Sequence, residues 1–347
     1  MIRRVSIGTG AMLAGAGLGC AGIRAVAARA FQSNRLRGIV VVITGGSRGL
    51  GLAMAEELGR AGAKLALCAR DSEELERARS LLLQRHCVRD PENIFLAAAD
   101  LRKVEEAEWL ILETFRHFGR IDILINNAGI ISVGPVQNQT LEDFRDAMDA
   151  NFFSGLHCTL AVLPEMLARH SGTIVNITSI GGKVAVPHLL PYVASKFAAV
   201  GLSEGLSAEL RAKGIRVTTV CPGLMRTGSH LNAYFKGKAA HEYSWFSVGA
   251  GFPGLSTSAR SAARKIVRAI VSGKREIAIT PQAILAARLC NLMPAMTSRL
   301  LQAANFALPS ALSGSTEKHR GAEVSELEVK PLTVLASAAA RRYNQVG

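Results

Sequence analysis

Aromatic side chains are scarce in this sequence: 5% of its 347 residues are Phe, Trp or Tyr. Single-stranded nucleic acid is held by stacking bases on such rings. The lysines and arginines here are not interleaved with aromatics, so the chain is read as binding no nucleic acid. Cysteine is also sparse. Cys20, Cys68, Cys87, Cys158, Cys221 and Cys290 form no CxxC pair, which excludes a zinc ribbon and a disulfide framework, and no metal site is expected. Scattered single thiols suit a reducing compartment, where all but Cys20 read as small apolar core residues. Acidic residues are outnumbered, 27 Asp+Glu against 41 Lys+Arg, for a formal charge of +14. Such a balance attracts anions, whether lipid or a phosphorylated cofactor. No internal repeat is present, so a solenoid is excluded.

What remains is a chain 49% hydrophobic with 33 glycines, ample for one sizeable core and suited to close helix–sheet packing. Residues 1–37 read as a hydrophobic N-terminal extension. The run VSIGTGAMLAGAGLGCAGI at 5–23 carries no charge and is flanked by Arg3 and Arg4 before and by Arg24, Arg29, Arg35 and Arg37 after. At about 1.5 Å per residue it is long enough to span a bilayer, but its glycines make it weakly hydrophobic. Three readings fit: a membrane anchor, a cleaved export signal with its twin arginines and the AVA at 25–27, or a loosely docked extension. An anchor would leave the catalytic part on the arginine-rich cytoplasmic side; the alternative is a soluble cytoplasmic protein. At the other end, 281–309 reads as one or two apolar helices broken near Pro294. They would line a substrate pocket, lie on a membrane surface or pack on the core. Residues 310–347 read as a polar, partly ordered tail without periodicity.

Between 38 and 280, apolar β-branched runs at 39–44, 64–68, 94–98, 121–125, 173–178, 215–220 and 276–280 alternate with helical periodicity at 50–61, 72–86, 103–118, 140–169, 190–212 and 258–272. Continuous apolar strands alternating with helices give a single α/β domain: a Rossmann-type, doubly wound parallel sheet with ligands at the carboxyl ends of its strands. The first such end reads VVITGGSRGLG at 41–51. A strand ending at Thr44, a bare turn through Gly45, Ser47, Arg48 and Gly49, and a helix from about Leu50 and Gly51 would aim free N–H groups at a pyrophosphate. The glycines allow the phosphate to approach.

Four further stretches follow in order: NNAG at 126–129, Ser179 in IVNITSIGG, YVASK with Tyr192 and Lys196, and CPGLMRT with Pro222, Gly223 and Thr227. With these motifs the chain resembles the short-chain dehydrogenase/reductases, in their compact single-domain branch, over about 38–280. The resemblance implies a catalytic set of Ser179, Tyr192, Lys196 and Asn151. Ser179 would bond the substrate oxygen, Lys196 would hold the nicotinamide ribose, and Asn151 would support a proton relay. Asn127, Ala128 and Gly129 would pack around the adenosine, Asp100 and Leu101 would meet the adenine, and Thr227 the carboxamide.

Tyr192 and Lys196 are four apart and share a helix face. Lowering a tyrosine from about 10 to about 7 takes roughly 4 kcal/mol, and one ammonium about 4 Å away at an effective dielectric of 20 supplies roughly that. Lys196 is therefore expected to tune Tyr192 as acid and base. The second strand ends KLALCARD, with Ala69 where an NAD enzyme needs a carboxylate, followed by Arg70. Arg70 and Arg48 without an acid suit the 2′-phosphate of NADP(H) over NAD(H), unless a one-residue shift brings Asp71 to the ribose. Residues 228–258 hold Tyr234, Phe235, Tyr243, Trp245, Phe246 and Phe252. They read either as a lid over a hydrophobic carbonyl or alcohol or as rings packing that lid down. Small residues at Ala198, Ala199, Gly201 and Gly205 offer a homodimer or homotetramer contact. The competing functional class is a catalytically silent, cofactor-binding sensor or scaffold at a membrane.

Overall fold

The computed structural model describes residues 35–251, 256–325 and 330–345. The readings of residues 5–23, Cys20 and Phe252 thus lie outside the described residues. In chain order the strands are β1 (Val40–Thr44), β2 (Lys64–Ala69), β3 (Ile94–Ala98), β4 (Ile123–Asn126), β5 (Ser132–Val133), β6 (Gly172–Ile177), β7 (Ile215–Cys221), β8 (Met225–Arg226), β9 (Tyr234–Phe235), β10 (Thr257–Ser258), β11 (Glu276–Ala278) and β12 (His319–Arg320). The helices are α1 (Gly49–Arg60), α2 (Ser72–Gln84), α3 (Val104–Phe118), α4 (Leu141–Met148), α5 (Ser154–Ala168), α6 (Leu190–Leu210), α7 (Ala239–Gly251), α8 (Ala259–Ser272), α9 (Pro281–Leu292), α10 (Pro294–Asn305) and α11 (Lys330–Arg342).

Seven strands form one sheet in the spatial order β3-β2-β1-β4-β6-β7-β11, every neighbouring pair parallel. Parallel sheets need both faces covered, and alternate residues go to opposite cores. Val41 and Ile43 of β1 join Leu65, Leu67 and Ile125 in the layer under α1, α2 and α8. Val42 joins Ala66, Cys68 and Leu124 under α3, α5 and the end of α6. Four cysteines, Cys68, Cys87, Cys158 and Cys221, are buried and free, as small apolar residues. Burial pushes the Cys158 thiol up to about 12, so it stays protonated. The strand order reverses between β1 and β4, and that crevice, beyond the strands' carboxyl ends, is where a doubly wound sheet binds ligands.

Three stretches depart from the sequence reading. The long helix over 140–169 is broken by a π-helical turn at Asp149–Phe153 between α4 and α5. Residues 239–251, absent from the helical stretches read from the sequence, form α7, whose apolar residues are too evenly spread around the axis to show a stripe. The polar tail also folds. Its helix α11 buries Ala336 and Ala340, and Tyr343 just beyond it joins the core under α1 and α2. Alanines at that spacing give a seam too narrow to stand out in the sequence.

Candidate active site

The glycine-rich turn is built by close approach. Gly45 and Gly49 sit at φ +63° and +58°, a region costly for other residues. A Cβ on Gly51 would strike the Gly45 carbonyl. Thr44 closes the turn: its Oγ1 accepts from the N–H groups of Asn127 (2.8 Å) and Ala128 (3.0 Å), while Asn127 Nδ2 donates to the carbonyls of Thr44 and Gly45, both at 3.0 Å. The NNAG stretch is thereby stapled to the turn across the β1–β4 crevice. Asn126 continues inward, donating to Thr159 and Asn176, which donates to Ser203. This polar chain crosses the sheet centre and is a structural element that the local sequence pattern did not reveal.

The four catalytic candidates converge beside it. The π-turn places Asn151 so that its Oδ1 accepts from Ile130 N–H at 2.9 Å, while its Nδ2 donates to Ile130 C=O at 3.1 Å and to Ser195 Oγ at 2.9 Å. A Cβ on Gly129 would collide with Asn151 Oδ1 and lie 3.6 Å from Lys196 Nζ, so Gly129, Asn151 and Lys196 meet at one point. Lys196 Nζ donates to Ile177 C=O at 3.1 Å and stands 5.7 Å from the centroid of the Tyr192 ring. A Cβ on Gly181 would lie 3.2 Å from Tyr192 Cε1 and 3.4 Å from Ser179 Oγ, and Ser179 Oγ accepts from Gly181 N–H at 3.0 Å.

Burial acts on both members of the expected Tyr192–Lys196 pair. Burial pushes the Tyr192 phenol above its ordinary value, and the neighbouring Ser179 hydroxyl pulls only partly against it. Burial also lowers the Lys196 ammonium to about 8. Both charged forms are penalised by lost solvation, and Lys196, which lies over the ring, also donates to the Ile177 carbonyl.

The remaining predicted residues take these places. Pro222 C=O accepts from Ile180 N–H at 2.8 Å, tying the end of β7 to the Ser179 loop. Gly223 packs against Thr280, where no Cβ would fit. Thr227 is buried, its Oγ1 accepting from Ser229 N–H at 3.3 Å. Arg70 is exposed at the end of β2 and helps, behind the dominant Arg102 hydrogen bonds, to hold Asp100 below the usual carboxylate range. Leu101 is buried, and Leu50 opens α1. Asp71 is the N-cap of α2, its Oδ1 accepting from Glu74 N–H at 3.0 Å.

Arg48 is paired on one of its nitrogens: Nη1 meets Glu74 Oε2 at 3.2 Å and Asn232 Oδ1 at 3.1 Å, and Ser47 Oγ donates to Glu74 Oε1 at 2.6 Å. Sequence reasoning missed Glu74.

The rings of 228–258 mostly pack among themselves. Phe235, Tyr243 and Phe246 are buried with Leu189 and Val193, and Tyr192 and Trp245 lie against that cluster. A separate cavity of about 690 Å³ lies between the loop preceding Tyr192 and the α9–α10 hairpin, lined by Ala185, Pro187, Phe197, Leu301 and Phe306 among others, and by none of Ser179, Tyr192 or Lys196. As a cofactor cradle the site fits a dinucleotide: a glycine-rich turn leads into α1, whose start has no side-chain cap, across from the Thr44-stapled NNAG loop at the β1–β4 crevice. Among the described residues no group of His, Cys, Asp and Glu could hold a metal ion.

Comparison with known proteins agrees with this geometry. Residues 39–234 match the family model described as short chain dehydrogenase. The chain is 35% identical over 250 residues to a dehydrogenase/reductase SDR family protein 7-like of Anopheles gambiae, covering 72% of this chain and 77% of that one. It is 37% identical over 198 residues to dehydrogenase/reductase SDR family member 7B of Mus musculus, covering 57% of this chain and 61% of that protein. A crystal structure of a short-chain dehydrogenase from Streptomyces avermitilis superposes with a TM-score of 0.65 at 28% identity, over 78% of this chain and 97% of that one. The ordered motifs, the parallel sheet and these matches together make the chain a member of the short-chain dehydrogenase/reductase family of oxidoreductases.

Proposed function

We propose that this chain is an NADP(H)-dependent oxidoreductase that interconverts a carbonyl and an alcohol on a hydrophobic substrate, with Tyr192 as acid and base. The observation that carries the reading is the convergence of Ser179, Tyr192, Lys196 and Asn151 at the carboxyl edge of the sheet, beside the glycine-rich turn. A bound nicotinamide would supply or accept the hydride. The chain's own part is to manage the substrate oxygen and its proton. Ser179 Oγ, fixed by Gly181 N–H, offers a hydrogen bond to that oxygen. In reduction the Tyr192 O–H bond breaks as its proton goes to the substrate oxygen, and in oxidation the proton returns. Lys196 stands over the ring to offset the phenolate charge, and Asn151 holds the Ile130 backbone and Ser195 beside it.

Preference for NADP(H) rests on Ala69 in place of an acid, on the exposed Arg70, and on Arg48 once Glu74 releases it. A hydrophobic substrate is supported by the apolar loop before Tyr192 and the lid cluster against it. The test is a panel of hydrophobic ketones and alcohols with NADPH, NADH and their oxidised forms. Turnover that is faster with NADPH supports the reading, and cofactor binding without turnover on any carbonyl would favour the silent scaffold.

The same proposal places the protein at a membrane with its catalytic domain on the cytoplasmic side. Its support is the uncharged run at 5–23 together with exposed apolar side chains on α9 and α10, including Leu285, Leu292, Met296 and Leu300. Among the described residues no helix is long and apolar enough to cross a membrane. Deleting residues 1–36 should move the protein to the soluble fraction; full-length protein already found there would remove the anchor. A homodimer is supported by α6, where a Cβ on Gly201 or Gly205 would meet nothing within 4 Å, and light scattering of the purified protein tests it.

A further inference from the structure

The start of α1 has no side-chain cap. Its first amide is met instead from the far end of the chain: Gly49 N–H donates to Tyr343 C=O at 2.8 Å. The residues that follow continue along the same turn. Asn344 Nδ2 donates to the carbonyls of Ser47 at 3.1 Å and Glu74 at 3.0 Å. Gln345 C=O and Oε1 accept from Asn232 Nδ2 at 3.2 and 2.7 Å, and the Gln345 side-chain nitrogen lies 2.5 Å from where a Cβ on Gly49 would stand. Asn232 in turn accepts from Arg48.

This segment is anchored at its root. Ala340 packs on Gly228, the glycine after Thr227. Arg85 Nη2 donates to Arg342 C=O at 2.8 Å, and Tyr343 is buried in the core under α1 and α2. Tyr343–Gln345 therefore lie on the helix N-terminus and beside the arginine that a dinucleotide would use.

We propose that Tyr343–Gln345 are a built-in occupant of the pyrophosphate-binding turn, and that they compete with the dinucleotide and so set its affinity. The proposal rests on the reading that this turn binds a dinucleotide. One N–H has room for one strong acceptor. A phosphate oxygen bonded to Gly49 N–H would take the place of the Tyr343 carbonyl, and the Gln345 amide stands where the phosphate would approach. A segment serving as a lid over bound cofactor would leave that amide open. The carbonyl and amide of the segment carry no net charge, whereas pyrophosphate carries several negative charges and gains from the helix dipole. The contact is thus one that the dinucleotide can displace at a cost in affinity.

The test uses the full chain and a double variant, Asn344→Gly with Gln345→Ala, glycine being suited to the φ of +56° at residue 344. Both substitutions remove side-chain contacts and leave the buried Tyr343 in place. Dissociation constants for NADPH and NADH are measured by fluorescence titration, and hydrogen–deuterium exchange over 336–345 is followed with and without saturating NADPH. The proposal expects the variant to bind both dinucleotides about tenfold more tightly, from the loss of a few competing hydrogen bonds. It also expects exchange in 336–345 of the unaltered protein to rise when NADPH binds. Unchanged or weaker binding by the variant, with the segment equally or better protected in the complex, overturns it. If neither protein binds any dinucleotide, the reading of the turn itself fails, a result distinct from binding that is indifferent to the tail.

Discussion

Replacing Asn151 tests whether the π-turn between α4 and α5 exists to place one amide. Asn151→Ala removes both hydrogen bonds to the Ile130 backbone and the one to Ser195. Each buried polar group left without a partner costs about 1–3 kcal/mol. Ile130 is only half-buried, so water recovers part of this, and about 3 kcal/mol is a reasonable total for the three. In a chain of this size that corresponds to a fall in Tm of about 4 °C. Turnover should fall further than stability explains, by about tenfold or more at a temperature where the variant is folded, because Ile130 follows the Gly129 that meets Lys196. Asn151→Asp separates the roles. It retains the acceptor for Ile130 N–H, loses the donor to Ile130 C=O, and sets a carboxylate beside Lys196. The lysine would then titrate above its value of about 8, since an opposite charge favours the ammonium, and the alkaline limb of the pH–rate profile should move up. Thermal unfolding and pH–rate curves on the two variants are the assays. An Asn151→Ala protein with unchanged Tm and turnover within twofold would refute the reasoning.

Two other outcomes follow from charges the fold has placed. Lys196 is depressed to about 8 in the folded state from 10.5, so between these values the unfolded chain binds more protons. Its contribution to stability is complete above the unfolded value and is lost as pH falls through about 8. The Tm of the unaltered protein minus that of Lys196→Met should therefore rise from pH 8 toward pH 10.5; a flat difference contradicts the burial argument. Glu74→Gln keeps an acceptor for Ser47 but removes the charge paired with Arg48. NADPH binding should tighten by roughly tenfold, the worth of one charge-assisted bond, with little change for NADH. Equal effects on the two cofactors would remove Arg48 from 2′-phosphate recognition.

Most of the sheet was legible because a strand buried on both faces has to be continuously apolar. Runs such as 39–44 and 94–98 match β1 and β3 within a residue at either end. The turn was legible for a similar local reason: glycine is the residue best suited to the left-handed conformations at Gly45 and Gly49. What escaped was set by partners far apart in the chain. Nothing near Arg48 announces Glu74, 26 residues on, or Tyr343 at the chain's other end. The Tyr192–Lys196 spacing gave their shared helix face, but the depth that raises one and lowers the other belongs to the assembled core. The lid aromatics were legible as a cluster, and only packing decides that Phe235, Tyr243 and Phe246 turn inward.

The central claim is that the Tyr192 phenol gives and takes the proton of the reacting oxygen. Tyr192→Phe leaves the ring and its packing and removes only that hydroxyl. Single-turnover reduction of a hydrophobic ketone should slow by about 10²–10⁴-fold, with the NADPH dissociation constant within about twofold of the unaltered protein. A variant that binds NADPH equally and still reduces the ketone at a comparable rate would contradict the account.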